Sequence, residues 1–184
     1  SPVSAGLDQS FCLTTTTANL NGSIPSIGIA TWSVLSGGGT ITTPTLNISD
    51  VSGLTSGTNT LVWTNTNGVC PATSDTVTII LLSFPTPANA GPDQILCPNT
   101  TTLAGNTPAI GSGWWSVITG TGSVSTPTLN NSGVSSLSTG TNNLVWTTGN
   151  GNCPTSSDTV SLIVLPPVQQ AFAGNDTTIY VTSL

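Results

Sequence analysis

The chain has 184 residues and a formal net charge of −6, with six acidic residues and no Lys, Arg or His. Nucleic-acid binding requires cations that displace counterions from phosphates, so the composition excludes a nucleic-acid partner, and an anionic membrane surface would repel the chain. No combination of side chains suits acid–base or nucleophilic catalysis, because His and Lys are absent and the carboxylates lie far apart in sequence. We therefore predict that the chain is not an enzyme.

Short segments rich in Thr, Val, Ile and Trp follow one another along the first half, separated by Gly, Pro, Asn and Ser. This alternation of segment and breaker is typical of β-strands. Apolar residues do not recur at helical spacing, so we expect an all-β protein. After the opening AGLDQSFC at 5–12, the predicted strands are 14–20, 30–35, 39–43, 46–51, 58–65 and 75–83.

The second half of the chain repeats the first. Blocks from Trp32 onward recur 83 residues later, whereas the opening block recurs after 85 residues, and a third copy begins with AGND at 173–176. A fixed period of this length indicates a tandem array of domains. The matching blocks are AGLDQSFC with AGPDQILC (90–97), TWSV (31–34) with WWSV (114–117), and GTNTLVWTNTNGVC (57–70) with GTNNLVWTTGNGNC (140–153).

About seven short strands in each copy predict tandem antiparallel immunoglobulin-like β-sandwiches. We place the first repeat at 1–86, the second at 87–168, and the opening of an incomplete third at 169–184. The connection between the two complete repeats contains Pro85 and Pro87, which favour a stiff, extended linker. The longest apolar run, 77–82, is too short to span a bilayer, so we predict no membrane insertion.

The four cysteines fall as one pair per repeat, Cys12 with Cys70 and Cys97 with Cys153. We predict one disulfide within each repeat, which indicates an oxidising compartment. A zinc site is not indicated, since there is no CxxC spacing and no His, and a catalytic thiol would lack a base. We predict no cofactor.

Four tryptophans occupy repeating strand positions, and we assign them to the cores: Trp32, Trp63, Trp115 and Trp146. Trp114 replaces Thr31 of the first repeat, and strand alternation points it away from Trp115. A glycan contact through an exposed Trp114 ring is one interpretation. Ordinary partial burial or a contact between domains is the alternative.

Five of the six acids recur between repeats, in AGxD and in SDTV. Asp8 and Asp93 of AGxD are expected to form turns that lead into the first strand. The alternative is a calcium site at the domain junction that includes Asp8 and Asp93. Calcium takes six to eight oxygen ligands, usually with several carboxylates, and each repeat supplies only two acids at fixed positions. We therefore predict no metal.

The combined pattern of AGxDQ, a Cys, a Trp-Ser-Val strand, GTNxLVW, a Cys-Pro and SDTV resembles the PKD-like, immunoglobulin-like repeats of giant cell-surface proteins in Bacteroidota. That group includes gliding-motility adhesins and similar type IX secretion substrates. The resemblance covers both complete repeats and the start of the third. It implies a secreted, surface-anchored filament whose repeats act as rods, and O-glycosylation at Asp-Thr motifs. The implied acceptors are Thr76, Thr159 and Thr177.

These observations predict a structural rod segment of a long extracellular cell-surface filament or adhesin. Its partners would be neighbouring repeats of the same chain, together with surface polysaccharide or other filaments. Three alternatives remain open: a carbohydrate-binding module, a spacer within a secreted hydrolase, and a pilus-like subunit that donates its 173–184 strand to the next copy.

Overall fold

The computed structural model describes residues 2–176, 178 and 180. Fourteen strands form within them, seven in each repeat, and none of these residues forms a helix long and apolar enough to cross a membrane. The predicted all-β sandwiches of about seven strands are confirmed. The first repeat contains β1 (Gln9–Cys12), β2 (Ala18–Asn21), β3 (Ile29–Ser36), β4 (Thr40–Ile41), β5 (Ile48–Ser52), β6 (Gly57–Thr66) and β7 (Thr73–Leu82). The second contains β8 (Gln94–Leu96), β9 (Thr101–Thr102), β10 (Ser112–Thr119), β11 (Ser123–Val124), β12 (Gly133–Ser135), β13 (Gly140–Gly149) and β14 (Ser156–Val164).

Each repeat is a sandwich of a four-stranded and a three-stranded sheet. In the first repeat the strand orders are β1-β7-β6-β3 and β2-β5-β4, and in the second they are β8-β14-β13-β10 and β9-β12-β11. The short first strand pairs in parallel with the last strand, while the neighbouring pairs are antiparallel. Strand β1 falls outside the six predicted segments. The strand has only four residues, of which Cys12 alone is buried, so its sequence shows little of the alternation that identifies a strand.

Alternation along the long strands places one row of side chains inside each sandwich. In β6 the buried positions are Asn59, Leu61, Trp63 and Asn65, every second residue, as the pleat requires. Each repeat has its own buried apolar cluster. The two repeats are therefore separately packed sandwiches in one chain.

A tryptophan pair fills the centre of each cluster. Trp32 of β3 lies opposite Trp63 of β6, with ring centroids 4.8 Å apart, and both side chains are buried. Trp115 and Trp146 repeat this pair at 5.1 Å. Each indole N–H has an acceptor; Trp63, for example, donates to the Ser23 carbonyl at 2.9 Å. Buried indoles with satisfied N–H groups provide large apolar surfaces without an unpaired donor.

The junction between repeats as the candidate functional site

The structure joins Cys12 of the first repeat to Cys153 of the second, with Cα atoms 4.9 Å apart. The predicted pairs, Cys12–Cys70 and Cys97–Cys153, are therefore wrong. Cys70 and Cys97 are unpaired and exposed in the described part of the chain. Instead of one disulfide inside each sandwich, a single disulfide connects the two sandwiches.

The strand topology explains the correction. Cys12 lies opposite Leu82, the last residue of β7, because β1 and β7 run parallel. Cys70 lies in the turn that precedes Thr73, the first residue of β7. Ten extended residues span about 30 Å, whereas a disulfide requires Cα atoms within about 7 Å. The two cysteines of one repeat are thus at opposite ends of its sandwich and cannot bond to each other.

The loop that carries Cys153 docks on the end of the first repeat. Asn150 donates its side-chain N–H to the Ser83 carbonyl at 2.8 Å, and Asn152 donates to the Ser10 carbonyl at 3.4 Å. Gly151 has a φ of +54°, and a Cβ at this position would lie 2.5 Å from a methyl carbon of Leu82. A residue with a side chain would therefore be both strained in its backbone and in collision with the first repeat.

The linker between the repeats is fixed to the second sandwich. Thr86 donates its backbone N–H to the Ile110 carbonyl at 3.0 Å, and its hydroxyl oxygen accepts the N–H groups of Ala109 and Ile110, both at 2.9 Å. The hydroxyl of the buried Thr148 donates to the Thr86 carbonyl at 2.6 Å. Linker and disulfide are two separate attachments between the repeats, and two attachments restrict bending more than a linker alone.

The recurring acids are occupied in holding the opening segment of each repeat to its last strand. Asp75 accepts the backbone N–H of Ala5 at 2.8 Å, and Asp8 accepts that of Thr78 at 2.8 Å. Asp158 and Asp93 repeat these bonds with Ala90 and Ser161. Asp8 and Asp93 thus bond across the sheet and do not simply close a local turn.

The structure separates the two acids of the calcium alternative into different repeats. Within them, no group of three or more His, Cys, Asp or Glu side chains is placed to hold a metal ion. Asp8 and Asp93 belong to different repeats and each accepts a backbone N–H of its own last strand.

Trp114 lies on the outer face of the second repeat and is 38% exposed. Its ring covers Gly149, whose Cβ, if present, would lie 3.2 Å from two of the ring carbons. The first repeat has Thr31 and Thr66 at these two positions, so the larger ring is accommodated by the smaller neighbour. The Trp114 ring is thus packed against Gly149 and partly exposed to solvent. A glycan contact there stays a prediction.

The structure describes two of the three threonines that the resemblance implies as glycosylation sites. Thr76 and Thr159 are exposed on β7 and β14, on the outer faces of the two four-stranded sheets. Thr177 lies outside the described residues, as does part of the 173–184 segment proposed for strand donation. Modification at these threonines stays a prediction.

Asn59, a buried polar residue of the repeated strand, was not among the residues predicted to be important. Asn59 is fully buried, and its side-chain Oδ1 accepts hydrogen bonds from the backbone N–H groups of Gly38 and Thr55 at 2.9 and 3.0 Å. Its amide donates to the carbonyls of Thr55 and Ile79 at 2.8 and 3.3 Å. Asn142 makes the corresponding contacts in the second repeat. The signal was available, since Asn occupies an inward-facing position of GTNxLVW in both copies.

Comparisons with known proteins support the fold. No family model matches the chain, and no curated protein matches it. Among solved structures, immunoglobulin domains 1–4 of Sidekick-1 align with a TM-score of 0.55 at 11% identity, over 88% of this chain and 48% of that one. The PKD domain from KIAA 1837 protein is 22% identical over 45% of this chain and 88% of its own, with a TM-score of 0.39. Fibronectin(III)-like modules of Clostridium thermocellum CbhA cover 94% of this chain and 97% of their own at 11% identity and a TM-score of 0.47. At 11% identity the likeness to Sidekick-1 shows an immunoglobulin-like β-sandwich fold alone.

Proposed function

We propose that this chain is a structural rod segment of a long extracellular cell-surface filament or adhesin. The observation that carries the proposal is the junction, where the Cys12–Cys153 disulfide and the docked linker attach two sandwiches at two points. A rod must resist bending between its units. A junction with two attachments supplies that resistance, whereas a single flexible linker does not.

The side-chain chemistry supports a mechanical role over a catalytic one. The chain has no His, Lys or Arg, and four of its six acids accept backbone N–H groups within the sandwiches. The disulfide favours an oxidising, extracellular setting. The sequence resemblance further favours the surface of a Bacteroidota cell, type IX secretion and a gliding-motility filament as the context.

Repetition gives such a protein length. A single sandwich cannot extend its reach by enlarging its core, but each added sandwich lengthens the array. Strands of ten residues at about 3.3 Å per residue give roughly 35–40 Å for each repeat. A tandem array would hold a distal binding region away from the cell.

Electron microscopy of the native material, before and after boiling in SDS with reductant, tests this proposal. We expect a thread with a repeat of about 40 Å whose polypeptide stays very large on a denaturing gel. A thread that falls apart into subunits of about this chain's size would contradict the proposal. It would favour non-covalent assembly through the 173–184 segment.

A further inference from the structure

We propose that Cys97 and Cys70 are the two outward-facing halves of further disulfides of the same kind. In this arrangement the first cysteine of a repeat, where one is present, bonds to the second cysteine of the repeat that follows it. Cys97 would receive the second cysteine of a following repeat, and Cys70 would bond to the first cysteine of a preceding one. The inference extends the proposed rod function by assigning the covalent contact between successive repeats.

The first support is positional equivalence within the chain. The Leu96–Val164 pair of the second repeat is equivalent to the Phe11–Leu81 pair of the first. Cys97 stands one residue beyond its pair, as Cys12 does. Cys70 lies two residues after Gly68, in a turn equivalent to the one in which Cys153 lies two residues after Gly151. The two glycines have φ angles of +58° and +54°. Both free thiols therefore occupy backbone positions that are already disulfide-bonded at the existing junction.

Exposed apolar side chains lie at both outward positions. Val69 is fully exposed and stands where the second repeat has Asn152, which contacts the first repeat. Ile95 is 72% exposed and stands where the first repeat has Ser10, the residue that Asn152 contacts. In a following repeat of the first type, Val69 would be placed against Ile95. The Asn152 bond goes to the backbone carbonyl of Ser10, so the equivalent contact would place Val69 at the backbone of Ile95, and both exposed apolar side chains lie at the outward junctions.

A cavity beside Cys70 provides a separate indication of a covered surface. It has a volume of about 210 Å³ and is lined by Asn65, Asn67 and Cys70, among others. Asn65 is 5% exposed, and its Oδ1 atom has no hydrogen-bond partner among the described residues. Thr148 and Asn150, the equivalents of Asn65 and Asn67, donate hydrogen bonds to the carbonyls of Thr86 and Ser83 in the linker. The linker from a preceding repeat would lie in this cavity, where a backbone N–H would supply the donor that Asn65 Oδ1 lacks.

The third repeat is consistent with this pairing. Tyr180 stands where a first cysteine would be, but Cys97 requires the second cysteine of the following repeat, not its first. The residues between Leu165 and Ala173 are equal in number to those between Leu82 and Ala90, so the third copy of the sequence begins after a linker of the same length.

Bond formation requires a disulfide oxidant, for which oxidised glutathione serves. The Cys97 thiolate attacks it and releases one glutathione thiolate, which leaves a mixed disulfide at Cys97. The thiolate of the partner cysteine then attacks the Cys97 sulfur and releases the second glutathione. Two protein thiols lose two electrons and two protons, and one glutathione disulfide is reduced to two thiols.

The test is a three-repeat protein made of residues 1–172 followed by a second copy of residues 5–83, which keeps the native linker length. Cys70 of the first copy and Cys12 of the second copy are changed to Ser, so four cysteines remain and each has a unique peptide. After oxidation with glutathione and removal of the reagent, free thiols are counted under denaturing conditions. The disulfides are then mapped after digestion with Asp-N protease and chymotrypsin, since trypsin has no sites here.

We expect no free thiols and two disulfides, Cys12–Cys153 and Cys97 with the second-copy Cys70. The Cys12–Cys153 bond reports that the existing junction has folded. Two free thiols at Cys97 and the second-copy Cys70, with Cys12–Cys153 formed, would overturn the inference, as would failure of Cys12–Cys153 itself to form. The first of these results would leave the rod proposal standing, because electron microscopy of the native thread tests that proposal without reference to Cys97.

Discussion

Cys12 and Cys153, 141 residues apart in sequence, are bonded across the junction between two sandwiches. The bond joins the end of an edge strand in the first repeat to a turn in the second. It lies beside a linker that is hydrogen-bonded to the second sandwich through Thr86. The junction is consequently the part of the molecule whose chemistry most directly determines whether the repeats act as one rigid unit.

Removal of the disulfide by Cys153→Ser should destabilise the protein. The chain-entropy treatment of a closed loop this long gives a contribution of about 5 kcal/mol, because the crosslink restricts the unfolded chain. We expect the urea concentration at the midpoint of unfolding to decrease, as measured by tryptophan fluorescence. Cys70→Ser is the matched control and should leave the midpoint unchanged, since Cys70 is unpaired. An equal decrease for both variants would show that the assigned pairing is wrong.

Trp146 and Trp114, two of the three tryptophans of the second repeat, should differ sharply in their contribution to stability. Trp146→Ala removes a buried ring that packs on Trp115, and we expect a loss of about 3–5 kcal/mol in the free energy of unfolding. Trp114→Ala removes a ring that is 38% exposed and should cost less than half as much. Chemical denaturation of both variants measures the difference. Similar losses would mean that Trp114 is as central to the core as Trp146.

The buried Asn142 should be more important than its neighbour Asn143. Asn142→Ala leaves the backbone N–H groups of Thr121 and Ser138 without their acceptor, and we expect a cost of about 3 kcal/mol or more. Asn142→Asp keeps the acceptor but buries a charge and removes the donors, so it should also destabilise. Asn143→Ala, at a partly exposed position, is the control and should change stability little. A neutral Asn142→Ala variant would refute the assigned role.

Asp158 should hold the start of the second repeat against its last strand. Asp158→Ala removes the acceptor for the Ala90 N–H, and we expect that amide to exchange with solvent faster. Asp158→Asn retains a side-chain oxygen and should restore part of the protection. Asp176→Ala, at an exposed position outside both sandwiches, should leave exchange at Ala90 unchanged. Amide hydrogen exchange followed by NMR measures all three, and unchanged exchange in Asp158→Ala would contradict the role.

Much of the fold could be predicted from the sequence, because strand periodicity and the internal repeat both report local order. Trp32 and Trp63 recur with fixed spacing, and the strands that carry them are long enough for alternation to be seen. The cysteine pairing could not be predicted by counting, since one pair per repeat fits bonding within a repeat as well as bonding between repeats. Its determinant is the parallel β1–β7 pair, and β1 is only four residues long.

The contacts at the junction were also beyond sequence reasoning. Asn150 and Gly151 form part of an ordinary turn in the sequence, and only the placement of the second repeat brings them to Ser83 and Leu82. Asn59 and Asn142, by contrast, stand at inward-facing positions of a repeated strand. An Asn at a buried strand position in both copies is a recognisable sign of a polar anchor.

Disulfide mapping of the 184-residue protein under non-reducing conditions distinguishes a bond between the two repeats from bonds within them. Digestion with Asp-N protease separates the Cys12 peptide from the Cys70 peptide, and chymotrypsin then separates Cys97 from Cys153. We expect one bonded peptide pair that contains Cys12 and Cys153, with Cys70 and Cys97 open to alkylation. Bonded pairs of Cys12 with Cys70 and of Cys97 with Cys153 would contradict this pairing, because the repeats would then have no covalent contact besides the linker.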